Sequence, residues 1–132
     1  MRTTIAAAAL CVLGLGPGLS TGASAQELLG SYIADIGPAD LRNSQGVRLW
    51  APWQILRQDR ANFHRFGLRD AGDEWDPFFA DPGRRATMER MIQRGWIDPE
   101  AARAIVRGGV RVYVAVYSYG AQGEMVTVDV WR

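Results

Sequence analysis

Apolar and polar residues alternate along the last part of the chain, which is the pattern of a half-buried β-hairpin. Valine occupies every second position of two runs: Val110, Val112, Val114 and Val116, then Val126, Val128 and Val130. Side chains alternate between the two faces of a strand, so one face carries valine and the other carries Tyr113 and Tyr117. If both valine rows face the core, paired residue numbers sum to an even number. The turn then needs three or five loop residues and cannot have two.

The pattern changes to helical periodicity over residues 53–66. Pro52 is tolerated at a first helical position, and no further Gly or Pro occurs before Gly67. At ~100° per residue, the apolar side chains form one arc of this helix, and both Asp59 and Arg60 fall within it. His64 lies at the border of the arc. The opposite sector is polar or small: Gln54, Arg57, Gln58, Ala61 and Arg65.

Two shorter helices are predicted by their ends. Asp81 and Asp98 each precede a proline, which places an N-cap acceptor before a proline at the first helical position. Gly95 and Gly108 stand where a helix commonly ends with a left-handed residue. We expect helices from residue 82 to about 94 and from residue 99 to about 107.

One more strand is expected at residues 31–36, closed by Gly37 and followed by a polar, turn-forming stretch over residues 40–46. The predicted fold class is therefore α+β. It has an antiparallel sheet of about three strands, including the C-terminal β-hairpin. A central helix and two short helices pack on one face of that sheet.

The first 25 residues have the layout of a secretory signal peptide. Arg2 supplies positive charge, residues 5–15 are apolar but too short to span ~30 Å of hydrocarbon, and Ala23-Ser24-Ala25 is a small-x-small cleavage pattern. An uncleaved anchor is the alternative interpretation. We predict a cleaved signal peptide (1–25), one small globular domain (26–132), and a periplasmic or secreted protein with no membrane association after cleavage.

Composition adds exclusions. The chain has 15 Lys+Arg, all of them arginine, against 14 Asp+Glu, one His and one Cys, with a net charge of +1. Near-neutrality argues against a nucleic-acid binder that works through bulk electrostatics. The single Cys11 cannot form an internal disulfide or a multi-cysteine zinc site, and it leaves with the signal peptide. Stability must therefore come from the packed core.

The central helix offers the first candidate chemistry. Buried charges need partners, so Asp59 and Arg60 are expected to pair with groups elsewhere in the fold, since adjacent helical residues point ~100° apart. A functional alternative gives His64 a general acid–base role, with Arg60 and Asp59 handling charge. Against this alternative, the sequence has no second histidine and no nucleophile motif such as Gly-x-Ser-x-Gly.

A second candidate is the acidic stretch of residues 70–81. The carboxylates of Asp70, Asp73, Glu74 and Asp76 are possible calcium ligands, although their spacing fails the EF-hand pattern. The competing interpretation is a solvated acidic loop anchored by Trp75, Phe78 and Phe79. No other cofactor is implied.

Binding candidates complete the list. Arg57 and Asn62 on the central helix could contact a ligand. The face with Tyr113 and Tyr117 is typical of partner or sugar contact, unless the acidic loop covers it. Trp50 and Trp53 are expected in the core, with a ligand platform as the alternative. The Asn43-Ser44-Gln45-Gly46 stretch is expected to be a turn before a short strand over residues 47–49, with a binding cleft lined by its polar groups as the alternative.

Two functional hypotheses follow. The preferred one is a non-enzymatic binding or interaction module for an unknown protein or small molecule. The alternative is a small hydrolase or nuclease-like enzyme that uses His64, Arg60 and Asp59.

Overall fold

The computed structural model describes residues 25–131, and it confirms an α+β fold. The predicted signal peptide lies outside the described residues except for Ala25. The elements are β1 (Glu27–Ile36), α1 (Pro52–Ala61), α2 (Pro82–Ala86), α3 (Met88–Arg94), β2 (Trp96–Ile97), α4 (Pro99–Arg107), β3 (Val110–Ser118) and β4 (Glu124–Trp131). Short 3₁₀ turns cover Pro38–Leu41 and Gly120–Gln122.

The sheet has four strands in the order β1-β3-β4-β2, rather than about three. β3 pairs antiparallel with both β1 and β4, whereas β2 pairs parallel with β4. β2 was not predicted because two residues are too few to show any periodicity. β1 begins at Glu27, four residues before the predicted start, because the pairing with β3 extends past an irregularity between Leu28 and Gly30.

The hairpin register confirms that the numbers of paired residues sum to an even number. Val112 pairs with Val130 and Val116 with Val126, and residues 119–123 form a five-residue loop. Both valine rows therefore face the helices. The core contains the valine face, the buried side of β1 and the apolar sides of the helices: Tyr32, Ala34, Ile36, Ile55, Leu56, Phe79, Met88, Met91, Ile92, Ile105, Val112, Val114, Val116, Val126 and Val128.

The central helix ends in a wider turn. α1 continues into a π-helical turn over Asn62–Phe66, and the chain leaves through Gly67 at a φ of 66°. The left-handed conformation there requires glycine or a tolerant residue. The amide of Leu68 donates to the Asn62 carbonyl oxygen at 2.9 Å, so the exposed Phe66 and Leu68 are held in place beside the helix.

The short helices confirm their predicted starts but not every predicted end. Asp81 accepts a hydrogen bond from the Gly83 amide, and Asp98 from the amides of Glu100 and Ala101. The predicted helix 82–94 is divided at Thr87, whose hydroxyl donates to the Arg84 carbonyl oxygen at 2.9 Å. Gly95 is not left-handed. Glycine is needed there because a side chain would collide with the Val126 carbonyl oxygen.

Two tryptophan expectations were wrong. Trp50 is 71% exposed, and the Arg48 guanidinium lies 4.5 Å from its ring centroid. Trp75 is 64% exposed and does not anchor the acidic loop, which is held instead by the buried Phe79. Trp53 packs partly buried against the core, as expected.

Candidate functional site

The two charges on the apolar arc of α1 are buried, as the helical phase predicts. Asp59 and Arg60 are 1% and 0% exposed. Arg60 has partners elsewhere in the fold, as predicted, but Asp59 pairs with its own neighbour, because Arg60 Nε donates to Asp59 Oδ2 at 2.7 Å. Long side chains can bend toward each other even when their Cα–Cβ bonds diverge. Arg60 Nη1 also donates to the Glu74 carbonyl oxygen at 2.9 Å and to Asp76 Oδ1 at 3.0 Å.

Asp76 is the centre of this cluster. Its Oδ1 receives the Arg60 bond and lies 2.8 Å from His64 Nε2, and its Oδ2 accepts from the Phe79 amide at 2.6 Å. Asp76 is fully buried, so the view of residues 70–81 as a solvated loop is wrong at this position. A carboxylate with three donors from the helix and the loop fixes one against the other.

Arg60 also lies between aromatic rings. Its guanidinium carbon is 4.2 Å from the Tyr32 ring centroid and 4.7 Å from that of Phe63. Three buried atoms of the cluster lack a hydrogen-bond partner within residues 25–131: Tyr32 Oη, Asp59 Oδ1 and Arg60 Nη2. Burial raises the pKa of the Asp59 carboxyl to about 7, against the opposing charge of Arg60. Burial also raises the pKa of the Tyr32 hydroxyl well above its ordinary value.

The structure encloses the histidine that the catalytic hypothesis needs. The side chain of His64 is 7% exposed and packs edge-on against the Phe63 ring at 5.0 Å. Its bond to Asp76 orients the imidazole, which is what a general base requires of its partner. The candidates His64, Arg60 and Asp59 are thus brought together through Asp76, in a place with little contact with solvent.

Asn62 belongs to a second buried polar group. Gln58 Nε2 donates to Asn62 Oδ1, and Asn62 Nδ2 donates to Asp40 Oδ1, each at 2.8 Å. The Gly37 amide donates to Asp40 Oδ2 at 2.9 Å. Asp40 is 3% exposed, so it is not part of a polar surface turn as expected, and burial raises its pKa to about 6. The next residues do form the expected turn, in which Asn43 Oδ1 accepts from the Gln45 and Val47 amides.

The calcium candidates point to different partners. The two oxygens of Asp73 accept from the amides of Asp35 and Asp70, each at 2.8 Å, while Asp76 faces Arg60 and His64. The Glu74 amide donates to the Ile33 carbonyl oxygen at 2.8 Å. The loop therefore covers the outer edge of β1. Among residues 25–131, no group of three or more His, Cys, Asp and Glu side chains is placed to hold a metal ion.

A groove with a strong positive charge lies on the outer side of α1. It has a volume of about 370 Å³, and its cations are Arg57 from α1, Arg65 from the π-helical turn that continues it and Arg85 from α2. Among residues 25–131, no Asp or Glu lines it. Its other lining residues are polar, small or apolar: Asn43, Ser44, Leu49, Trp53, Gln54, Gln58, Ala61, Phe66 and Pro82.

Arg85 is the fixed cation of this groove. It is 7% exposed, and its Nη1 donates to the carbonyl oxygens of Phe79 and Ala80 at 2.7 and 3.0 Å. Burial lowers its pKa, and the charges of Arg65 and Arg57 lower it further, with Asp81 and Asp76 acting in the opposite direction. The three cations therefore repel one another, and an anion between them would relieve that repulsion.

The sequence alone indicates only part of this groove. Among its arginines only Arg57 is a binding candidate, since Arg65 falls on the polar helix face and nothing singles out Arg85, while Asn43 and Ser44 belong to the stretch with a binding cleft as its alternative interpretation. The available signal was the spacing of Arg57, Ala61 and Arg65, one turn apart on one face, where the small Ala61 leaves room between two cations.

The binding candidates do not form one site. Tyr113 and Tyr117 lie half-buried on the sheet face opposite the valines, away from α1. The Tyr113 ring stacks on the Trp131 ring, with centroids 5.9 Å apart and planes at 6°. The acidic loop is hydrogen-bonded along the edge of β1 through Asp73 and Glu74, and its Gly72 amide donates to Asp35 Oδ2 at 2.9 Å, beside Arg111 on this same face.

Comparisons with protein-family models, with curated proteins and with solved structures found no match to this chain. Within residues 25–131, no helix has the length and apolar character needed to cross a membrane.

Proposed function

We propose that this protein is a small exported binding module without enzymatic activity, and that its ligand is an anion held in the groove outside α1. Export rests on the signal-peptide pattern of residues 1–25. Binding of an anion rests on the three arginines of the groove.

The observation that carries the proposal is the convergence of Arg57, Arg65 and Arg85 on one groove that no carboxylate of the described part of the chain lines. A guanidinium presents a rigid fork of donors that matches phosphate, sulfate and carboxylate oxygens. The carbonyl oxygens of Phe79 and Ala80 hold Arg85 in place before any ligand arrives, which reduces the entropy lost on binding.

Calorimetric titration of the protein with inorganic phosphate at constant ionic strength tests this proposal. We expect saturable binding that weakens on the order of tenfold or more in the double variant Arg57→Gln/Arg65→Gln, because each charged hydrogen bond contributes ~1.5–3 kcal/mol. Arg57 and Arg65 are exposed, so their replacement leaves the core intact. The matched control is Arg103→Gln, an exposed arginine of α4. Equal weakening in the control, or no saturable binding, would refute the proposal.

The orientation of His64 by Asp76 supports a second candidate, a small phosphodiester-cleaving or other hydrolytic enzyme. It would use His64 as the acid–base group, with Arg60 and Asp59 beside it. Hydrolysis of bis(para-nitrophenyl) phosphate by the protein, lost in a folded His64→Ala variant and retained in Arg103→Gln, would favour the enzyme. No hydrolysis by the parent protein would leave binding as the function.

A further inference from the structure

A second cavity continues the arginine groove past the end of α1. It has a volume of about 310 Å³ and shares Asn43, Ser44, Gln58 and Phe66 with the groove. A ligand long enough to occupy both would pass from the arginines across Phe66. The two cavities differ in chemistry, and that difference indicates what such a ligand is.

The polar groups of the second cavity are largely engaged with one another. Gln58 donates to Asn62, and Asn62 donates to Asp40. Asn43 accepts from the turn that follows it. Arg42 Nη1 donates to the Gly46 carbonyl oxygen at 3.0 Å. Gln58, Asn62 and Asn43 therefore have part of their hydrogen-bonding capacity used within the protein, whereas the exposed Arg42 keeps further guanidinium N–H donors at the edge of the cavity.

The apolar surface of this cavity is open. Phe66 is 44% exposed and Leu68 is 55% exposed, although both are large and apolar. The π-helical turn, the left-handed Gly67 and the bond from the Leu68 amide to the Asn62 carbonyl oxygen fix the backbone that carries these two side chains. Covering them with a hydrocarbon chain removes apolar surface from water, which is favourable.

Phe66 lines both cavities, and Arg65 of the first cavity lies over its ring. The Arg65 guanidinium carbon lies 5.0 Å from the Phe66 ring centroid, so the positive end and the apolar end meet at adjacent residues. We infer that the ligand is a single-chain amphiphile, with an anionic head between Arg57, Arg65 and Arg85 and a hydrocarbon tail over Phe66 and Leu68. This inference rests on the proposed anion site and adds the tail.

The test compares inorganic phosphate with n-octyl phosphate, kept below the concentration at which it forms micelles, by calorimetry. Each fully buried methylene strengthens binding about fourfold, so partial burial of the chain should give octyl phosphate at least about tenfold higher affinity. Leu68→Ser should reduce the ratio of the two affinities. Leu28→Ser, which removes an equally exposed leucine on β1, should leave the ratio unchanged.

The outcomes separate the inference from the function it rests on. Equal affinities for the two ligands overturn the tail and leave the anion site standing. No binding of either ligand overturns both. A ratio that changes equally in Leu28→Ser also overturns the inference. Cosedimentation with vesicles of anionic phospholipid, in the absence of monomer binding, would assign the surface to membranes instead of a free amphiphile and would likewise overturn it.

Discussion

His64 Nε2 and Asp76 Oδ1 lie 2.8 Å apart, and this bond joins the end of α1 to the loop that follows it. The same oxygen receives Arg60 at 3.0 Å, so one carboxylate holds two side chains of the helix. The outer side of the helix carries Arg57 and Arg65. The buried cluster thus supports, from the inside, the helix whose outside we propose as the ligand site.

Asp76→Asn should destabilise the protein by about 3–5 kcal/mol, the range for removing one member of a buried charge pair. Arg60 would keep its buried charge and lose the Asp76 carboxylate, and the new side-chain NH2 would place a donor opposite a group that needs an acceptor, either the Phe79 amide or Arg60 and His64. Urea unfolding measures the change. Asp129→Asn, at an exposed position of β4, is the control, and an equally small effect of both substitutions would contradict the role of Asp76.

Asp40 should make stability depend on pH. Burial raises its pKa from 3.8 to about 6, so the folded state holds this proton more tightly than the unfolded state. Its stabilising contribution is full below pH 3.8 and is lost as pH rises through about 6. The pKa of Asp59, raised to about 7, makes stability fall with rising pH in the same way. The lowered pKa of Asp35, due to its bond with Arg111, makes stability fall as pH decreases, but only below pH 3.8.

Asp40→Asn removes that contribution together with the part of the raised pKa of Asp59 that is due to the Asp40 charge, and both act in the same direction. The free energy of unfolding of the parent minus that of the variant should fall between about pH 4.5 and about pH 7.5. Urea unfolding at the two pH values measures it. If this difference in unfolding free energy stayed constant or rose with pH, burial would not raise the pKa of the Asp40 carboxyl.

Gly95→Ala should cost several kcal/mol, on the order of the largest single-residue effects. The added methyl group would collide with the Val126 carbonyl oxygen of β4, and backbone on both sides would have to separate. Gly46→Ala is the matched control. That glycine has a φ of 78° and open space around it, so only conformational strain of about 1 kcal/mol is expected. Thermal melting compares them, and similar losses would argue against the close contact.

Local patterns predicted the parts of the fold that depend on local geometry. The ~100° helical step placed Asp59 and Arg60 in the interior, and the alternation of valines required the odd loop of residues 119–123. Caps at Asp81 and Asp98 were readable because the acceptor and the proline are adjacent in sequence.

Features that depend on contacts between distant segments were not predictable in this way. β2 is defined only by its pairing with β4, and Asp76 is buried only because Arg60 and His64 reach it. The arginine groove needs Arg85 beside α1, and nothing local to residues 82–86 indicates that placement. The sequence pattern therefore indicated the polar face of α1, but it did not indicate that Arg85 lies beside that face.

The most direct test of the anion site maps phosphate binding on the protein by two-dimensional ¹H–¹⁵N NMR. Our account predicts saturable shifts centred on the amides and guanidinium groups of Arg57, Arg65 and Arg85, absent in Arg57→Gln/Arg65→Gln and retained in Arg103→Gln. Saturable shifts centred instead on Tyr113 and Tyr117, or no saturable shifts at the groove, would contradict it.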